Sequence, residues 1–334
     1  MITRNTEEKI CKQQYKKNPP KNFEELSMLW MQSKKARLKQ SSFLQYQHIC
    51  KHYLFPQLGT LKLSEFDTQI FDRAMEHIFY QTSEKPLSVS TMKSILYVTK
   101  AILKYGMLTN YCSSVAVTFE LPFVSVPEIV TLNENQEKAL VQALLASQSS
   151  NHLGILIALY TGMRIGEICG IKKADVDLEN SILHIRRTTQ RLKTEENGKT
   201  KLVTNSPKSQ KSYRDIPIPP FLSDILKSYG IQELSESQYI LGKKDVPYEP
   251  RTLQYAFGRI LRDCNIPAMK FHCLRHTFAT KCIQSGFDVK TLSEILGHSN
   301  VNFTMNRYVH SDFERKKEQM KLLEQNWKNM MCIS

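Results

Sequence analysis

The stretch Leu153-Gly154-Ile155-Leu156-Ile157-Ala158-Leu159-Tyr160-Thr161-Gly162-Met163-Arg164-Ile165-Gly166-Glu167-Ile168 decides how the second half of the chain folds. Leu153 to Tyr160 is a very apolar helical run, of the kind that packs inside a domain. Gly162 can end it, because glycine accepts the left-handed conformation of a helix C-terminus. Arg164 then starts a new helix on an apolar platform. Such an arginine either points into a site or pairs with Glu167 at the surface.

Upstream, Asn133 with Gln136 opens a helical run through Leu145. Residues 108–130 lack helical periodicity and contain Pro122 and Pro127, which makes them a linker. Residues 22–107 read as a small helical domain. Phe23, Leu26, Leu29 and Trp30 recur at helical spacing. Ser41-Ser42 caps a second helix with Phe43, Tyr46, Ile49 and Tyr53, stopped by Pro56. Asp67 caps a third, and Ser88 or Ser90 opens a fourth that ends near Gly106. Such a set suits a compact bundle. Residues 1–21 carry six Lys/Arg against two Glu and read as a flexible basic arm.

Downstream, Ser181-Ile182-Leu183-His184-Ile185 alternates as a strand does, and Asn197-Gly198 predicts a hairpin turn. Arg214-Asp215-Ile216-Pro217-Ile218 is a second β-like run. Helical patterns follow at about 221–229, 250–264, 272–285, 289–297, 302–309 and 311–328. The expected fold is mainly α with a small antiparallel β-sheet: a helical domain at 22–107 and an α+β domain at 131–334.

Lys and Arg outnumber Asp and Glu 46 to 32 over 334 residues, a formal net charge of +14. That surplus favours a polyanionic partner, nucleic acid or an anionic membrane face. No stretch approaches the roughly 18 consecutive apolar residues of a membrane span. The first residues have no apolar core of a secretion signal, so a cytoplasmic, nucleoid-associated protein is expected. The eight cysteines include no CxxC pair. They read as reduced thiols, mostly small buried apolar residues.

Four separated segments could carry chemistry. The first is Thr161-Gly162-Met163-Arg164-Ile165-Gly166-Glu167. The second, Ser206-Pro207-Lys208-Ser209-Gln210-Lys211-Ser212-Tyr213-Arg214, belongs to a stretch (186–214) with nine Lys/Arg and two Glu. A basic hairpin of this kind fits a phosphate backbone or stands solvated as a loop. The third is Phe271-His272-Cys273-Leu274-Arg275-His276-Thr277, where His272 and Arg275 share a helix face. The fourth is Leu296-Gly297-His298-Ser299-Asn300, with Tyr308 ten residues after His298. Together they supply arginines, histidines, a lysine and a tyrosine, without an acidic triad, a glycine-rich phosphate loop or a metal cluster. Two guanidiniums can grip one phosphodiester, a tyrosine can attack it, and a lysine can protonate the departing alkoxide.

These segments, in this order and at these separations across 131–325, resemble the Arg…Lys…HxxR…His…Tyr signature of the tyrosine recombinases, the phage-integrase family. The 22–107 region resembles that family's core-binding domain. The resemblance implies a site-specific DNA recombinase that cuts and rejoins DNA through a 3′-phosphotyrosyl intermediate, without metal, ATP or other cofactor. It implies that Arg164 and Arg275 clamp the phosphate and that Lys208 protonates the 5′-oxygen, with Lys211 the competing candidate. His272 would orient or deprotonate the nucleophile, His298 would contact the scissile phosphate, and Tyr308 would be the nucleophile. Glu167 would brace the site. The implied partners are double-stranded DNA, a homotetramer on two DNA sites, and an excisionase or host DNA-bending protein.

Many integrases carry a further N-terminal arm-binding domain. Only 21 residues precede the helical region here, so an integrase of a mobile element stands beside a simple Xer-like resolvase or inversion enzyme. A type IB topoisomerase-like enzyme would share the same chemistry. A non-catalytic DNA-binding regulator would account for the charge and leave the four segments as coincidence.

Overall fold

A computed structural model of the chain describes residues 19–80, 86–123, 129–193, 200–207, 212–243, 245–298 and 300–308, with scattered helical residues between 317 and 328. The basic arm therefore lies mostly outside the described residues, as do the Asn197-Gly198 turn and both hairpin lysines, Lys208 and Lys211. The chain divides into two compact units, Met1–Val126 and Pro127–Ser334.

The first unit is helical: α1 (Phe23–Lys35), α2 (Gln40–Ile49), α3 (Phe55–Leu58), α4 (Thr68–Tyr80) and α5 (Val89–Leu108). Asn22 caps α1 by accepting from the Glu25 N–H at 2.9 Å, Asp67 accepts from Gln69 N–H ahead of α4, and Ser88 caps α5. Phe23, Trp30, Phe71, Met75 and Ile102 form one buried core. Pro56 does not stop the second helix. A π-helical turn, Cys50–Leu54, widens the ladder so that the Phe55 N–H reaches the Cys50 carbonyl. Pro56 then falls in the first turn of α3, where its missing N–H leaves no broken bond. The extended segment after α5 folds back on the same unit. Val117 joins its core, and Asp72 accepts from the Thr118 and Phe119 N–H groups at 3.0 Å each.

The second unit is built on α6 (Glu134–Leu145), α7 (Ser150–Thr161) and the short α8 (Ile165–Ile168), followed by β1 (Val176–Asp177), β2 (Ile182–Ile185), β3 (Thr188–Lys193), β4 (Thr200–Asn205) and β5 (Arg214–Pro217). After these come α9 (Pro220–Ser228), α10 (Pro250–Asp263), α11 (Cys273–Gln284), α12 (Val289–Leu296) and α13 (Val301–Tyr308). The apolar run of α7 is buried nearly all round. It packs against α6, α9, α10 and α11, so the most apolar helix of the sequence is the centre of the unit. Three antiparallel strands lie in the order β1-β2-β5, and β3 pairs with β4 as a separate ribbon.

The register of β2 on β5 matters for the site. Leu183 faces Ile216, Ile185 faces Arg214, and His184 faces Asp215. Side chains alternate across a strand. Arg214 therefore stands on the same side as Ile216, toward the core, and both are buried. On the other face His184 Nδ1 lies 2.7 Å from Asp215.

Candidate active site

Four of the six expected primary residues sit at or beside helix ends, and for Arg164 and His298 a glycine sets the end. Gly162 closes α7 in the left-handed conformation, φ +63°. A side chain there would collide with Phe278. The chain turns at once, and Arg164 becomes the residue that precedes α8. Its own N–H donates to Glu167 Oε2 at 2.9 Å, and its Nη1 donates to Oε1 at 2.9 Å. Glu167 thus satisfies the start of α8 and holds the arginine side chain in one geometry.

The end of α12 is the centre of the site. Asp288 caps its start, and Gly297, φ +65°, closes it. Gly297 N–H donates to Glu294 O and His298 N–H to Ser293 O, both at 3.0 Å, the double bond of a Schellman cap. The carbonyls of Ile295, Leu296 and Gly297 are left to find other donors. Each receives a guanidinium. Arg214 Nε donates to Ile295 at 2.5 Å, Arg275 Nη2 to Leu296 at 2.7 Å, and Arg164 Nη2 to Gly297 at 3.1 Å. Three arginines from three distant segments converge on three successive carbonyls, at the end of the helix where the dipole is negative. Arg275 also donates to Gly162 O at 2.8 Å, tying both glycine turns to one side chain.

The charge balance is uneven. Arg214 meets both oxygens of Glu167, at 3.1 and 2.9 Å. Arg214 and Arg164 together hold the Glu167 carboxyl below its usual range, against a burial effect that opposes them. Arg275 is 2% exposed. Burial, and then Arg164 and Arg214, push it down to about 9, so it stays charged at neutral pH. One carboxylate faces three guanidiniums, so the site carries an excess of two positive charges before any ligand arrives. His298 is pushed down to about 3 by burial first and then by Arg275, Arg164 and Arg214. Its imidazole is neutral at pH 7, with Nδ1 2.7 Å from the Thr304 hydroxyl of α13.

Tyr308 ends α13 and is 6% exposed. It packs in a small apolar cluster with Ala279, Cys282, Ile283, Leu292 and Leu296. Its hydroxyl lies 2.6 Å from Nδ1 of His276, and the His276 ring meets the His272 ring edge-on at 4.6 Å. His272 itself is exposed, one residue before α11. The structure thus brings Arg164, Glu167, Arg275 and His298 to one helix end, and joins Tyr308 to His272 through His276. Two participants are not among the residues expected from the sequence. Arg214 is legible there as a basic residue in phase with the apolar Ile216. His276 lies one turn after His272 on α11, on the face that His272 and Arg275 share.

A cluster of guanidiniums in the same unit as a histidine-held tyrosine suits attack on a phosphodiester. The phage integrase family model matches residues 130–315, and an N-terminal SAM-like domain of phage integrases matches residues 22–75.

The chain belongs to the phage integrase family.

Members of this family are tyrosine recombinases, so the chain is a DNA strand-transferring enzyme. A tyrosine recombinase XerC-like protein of Caldanaerobacter subterraneus subsp. tengcongensis is 27% identical over 297 residues, covering 81% of this chain and 74% of that one. The transposase from transposon Tn916 of Enterococcus faecalis is 28% identical over 215 residues, covering 60% of this chain and 52% of its own length. The Tn1549 transposon integrase, solved with a circular intermediate DNA, superposes with a TM-score of 0.74 at 20% identity, over 91% of this chain and 100% of that chain. That likeness extends the integrase fold over both units. Among the described residues, no helix is long and apolar enough to cross a membrane.

Proposed function

We propose that this recombinase is the integrase of a mobile element, with Tyr308 as its nucleophile. The observation that carries the reading is the convergence of Arg164, Arg214 and Arg275 on the α12 carbonyls, in the same unit as a tyrosine hydroxyl held by a histidine. Attack by a tyrosinate on a phosphodiester builds a dianionic pentacoordinate centre. The two uncompensated guanidinium charges match it in advance. Arg164 and Arg275 clamp the non-bridging oxygens. Neutral His298 donates a further hydrogen bond through Nε2 when Nδ1 accepts from Thr304. His272 and His276 take the tyrosine proton by way of the hydrogen bond already in place. Lys208 on the basic hairpin gives the 5′-oxygen its proton, with Lys211 the alternative. The bond energy stays in the phosphotyrosine, so the reverse attack by a 5′-hydroxyl rejoins the strand without ATP.

The helical region 22–107, with the start of the 108–130 linker packed against it, serves as the core-binding DNA domain, and 131–334 serves as the catalytic domain. The DNA complexes formed by the structural neighbours support duplex DNA as the partner. Four protomers on two sites, an excisionase or DNA-bending protein, and residence on the nucleoid complete the proposal. The Xer-named relatives favour a second reading, resolution of directly repeated sites, within the same chemistry.

The test is covalent capture. Randomised duplexes carrying a nick are incubated with the full chain in EDTA, and DNA that survives SDS on the protein is sequenced. Recovery of one core sequence supports a site-specific tyrosine recombinase. No covalent DNA, or capture without any preferred sequence, contradicts it. Two copies of the recovered core on one plasmid then separate deletion from inversion by their orientation.

A further inference from the structure

Among the described residues, the ion pair between Arg214 and Glu167 is the one charged pair in the site that lies wholly inside the protein. The two side chains are 6% and 5% exposed, whereas Arg164, on the other side of the same carboxylate, is 39% exposed. The carboxylate oxygens are shared symmetrically. Oε1 accepts from Arg164 Nη1 and Arg214 Nη1, and Oε2 accepts from the Arg164 N–H and Arg214 Nη2. The plane of the carboxylate is therefore fixed from inside by the Arg214 fork, and on its other side it holds Arg164 through one guanidinium nitrogen and the backbone N–H.

Two more features are shaped to Arg214. Its Nε holds the Ile295 carbonyl, which sets the end of α12 against β5. At Gly297 an added Cβ would stand 3.0–3.2 Å from the Arg214 side chain, so the backbone passes close over the guanidinium where only a glycine leaves room. Arg214 also donates to the Ser212 carbonyl at 3.2 Å, one residue after Lys211 in the sequence. One side chain is thus bonded to the brace of Arg164, to the helix end that holds Arg275 and Arg164, and to the residue at 212 that leads into β5.

We infer that Arg214 is a positioning residue for strand cleavage, which acts through Glu167 and the α12 carbonyl end to hold Arg164 in its phosphate-clamping geometry. The inference rests on the strand-transfer reading above. A buried pair kept only for stability makes a different prediction, because such pairs contribute little to stability beyond their own desolvation cost.

The experiment uses the full chain and a nicked duplex of the core sequence captured by the wild type. Arg214→Gln, Arg214→Lys, Glu167→Gln and the Arg214→Gln/Glu167→Gln double variant are compared for duplex binding, cleavage rate and melting temperature. Binding is expected within about twofold of wild type, because the hairpin and the first unit still reach the backbone. Cleavage is expected to fall about tenfold to a hundredfold in either Arg214 variant, since an ammonium cannot hold both Glu167 oxygens and the Ile295 carbonyl. The double variant is expected to be no slower than the slower single variant, the mark of two residues acting as one unit.

A further readout is the pH profile. In Arg214→Gln the buried Glu167 faces only Arg164 on its own turn and Arg275 from α11. Its carboxyl then takes up a proton at a higher pH than in the wild type, so cleavage by Arg214→Gln declines more steeply on acidification than cleavage by the wild type or by Glu167→Gln. If Arg214→Gln does not fold, Arg214→Lys decides alone. Wild-type cleavage by a folded Arg214 variant overturns the inference, as do losses that simply multiply in the double variant. A rate loss that only tracks the fraction unfolded also overturns it. Absence of covalent DNA with the wild type fails the strand-transfer reading first, and is told apart by that control.

Discussion

Arg275 Nη2 donates to the carbonyl of Leu296 at 2.7 Å while its Nη1 donates to that of Gly162 at 2.8 Å. A side chain on α11 thereby fastens together the two glycine turns that end α7 and α12. Those bonds use two of the five N–H donors of a guanidinium and leave others for a ligand. The residue proposed to clamp the phosphate also fixes the site's frame.

Arg275→Lys is therefore expected to be far from conservative. An ammonium at this position cannot reach both carbonyls and two phosphate oxygens. Cleavage of the captured core duplex should fall by two to three orders of magnitude, roughly the loss seen when one preorganised transition-state donor is removed. Unbonded carbonyls should cost about 1–3 kcal/mol of stability. Gel-shift affinity should change little. A single-turnover assay showing near-normal cleavage would remove Arg275 from the clamp.

Gly297 separates backbone strain from site geometry. Gly297→Ala forces an L side chain to φ +65°, at about 1–2 kcal/mol. It also sets a Cβ 3.0 Å from Arg214 Nη1. Gly297→Asn tolerates the left-handed backbone better but crowds Arg214 just as much. The expected result is a lower melting temperature for alanine than for asparagine, with cleavage impaired in both. Full activity in the asparagine variant would show that the Arg214 contact does not matter there.

His298 gives a pH prediction with a definite sign. Its folded value is held near 3, by burial first and by the arginines after it, while in the unfolded chain it titrates near 6.5. Between those values the unfolded state binds a proton that the folded state refuses. Stability therefore rises with pH through that window and is lost as pH falls. Denaturant midpoints at pH 7.5 and 5.0 should differ more for the wild type than for His298→Gln. Equal differences would mean that His298 is not held neutral.

Lys208 and Lys211 can be told apart by leaving-group chemistry. A bridging 5′-phosphorothiolate leaves as a thiolate and needs no proton. The alanine variant of the true general acid should be slow on ordinary DNA and restored on the sulfur substrate. Lys208→Ala is expected to show that rescue and Lys211→Ala not to. The reverse pattern would exchange the two roles, and rescue of neither would move the proton donor to another group.

Much of the fold and most of the residues that meet at the site are legible in the sequence alone. Asp67, Ser88 and Asn133 declare their helices, because a polar side chain at a helix start satisfies a donor that nothing else reaches. Ser41 and Ser42, expected to cap α2, instead lie inside it, and α2 starts at Gln40 without a side-chain cap. The apolar run of α7 announces a buried centre, and Gly162 and Gly297 announce their turns. What the linear pattern does not contain is the meeting of Arg164, Arg214 and Arg275 on α12. That meeting depends on which segments fold against one another, and periodicity is silent on it. Arg214 still leaves a local trace, since a charged residue in phase with buried Ile216 needs an acid partner inside. His276 leaves a trace as well, four residues after His272 and so on the same helix face, but spacing alone does not say that it rather than His272 meets the tyrosine. Pro56 misleads for a physical reason: a π turn moves it to a position where proline is harmless.

The identity of the nucleophile is the point on which everything else depends, and peptide mapping of the trapped covalent complex measures it. After nuclease digestion of the wild-type adduct, mass spectrometry should place a nucleotide-phosphate on Tyr308. Tyr308→Phe should bind the same duplex and form no adduct. An adduct on Tyr213 or any other residue, or one that persists in Tyr308→Phe, would contradict the assignment of this site.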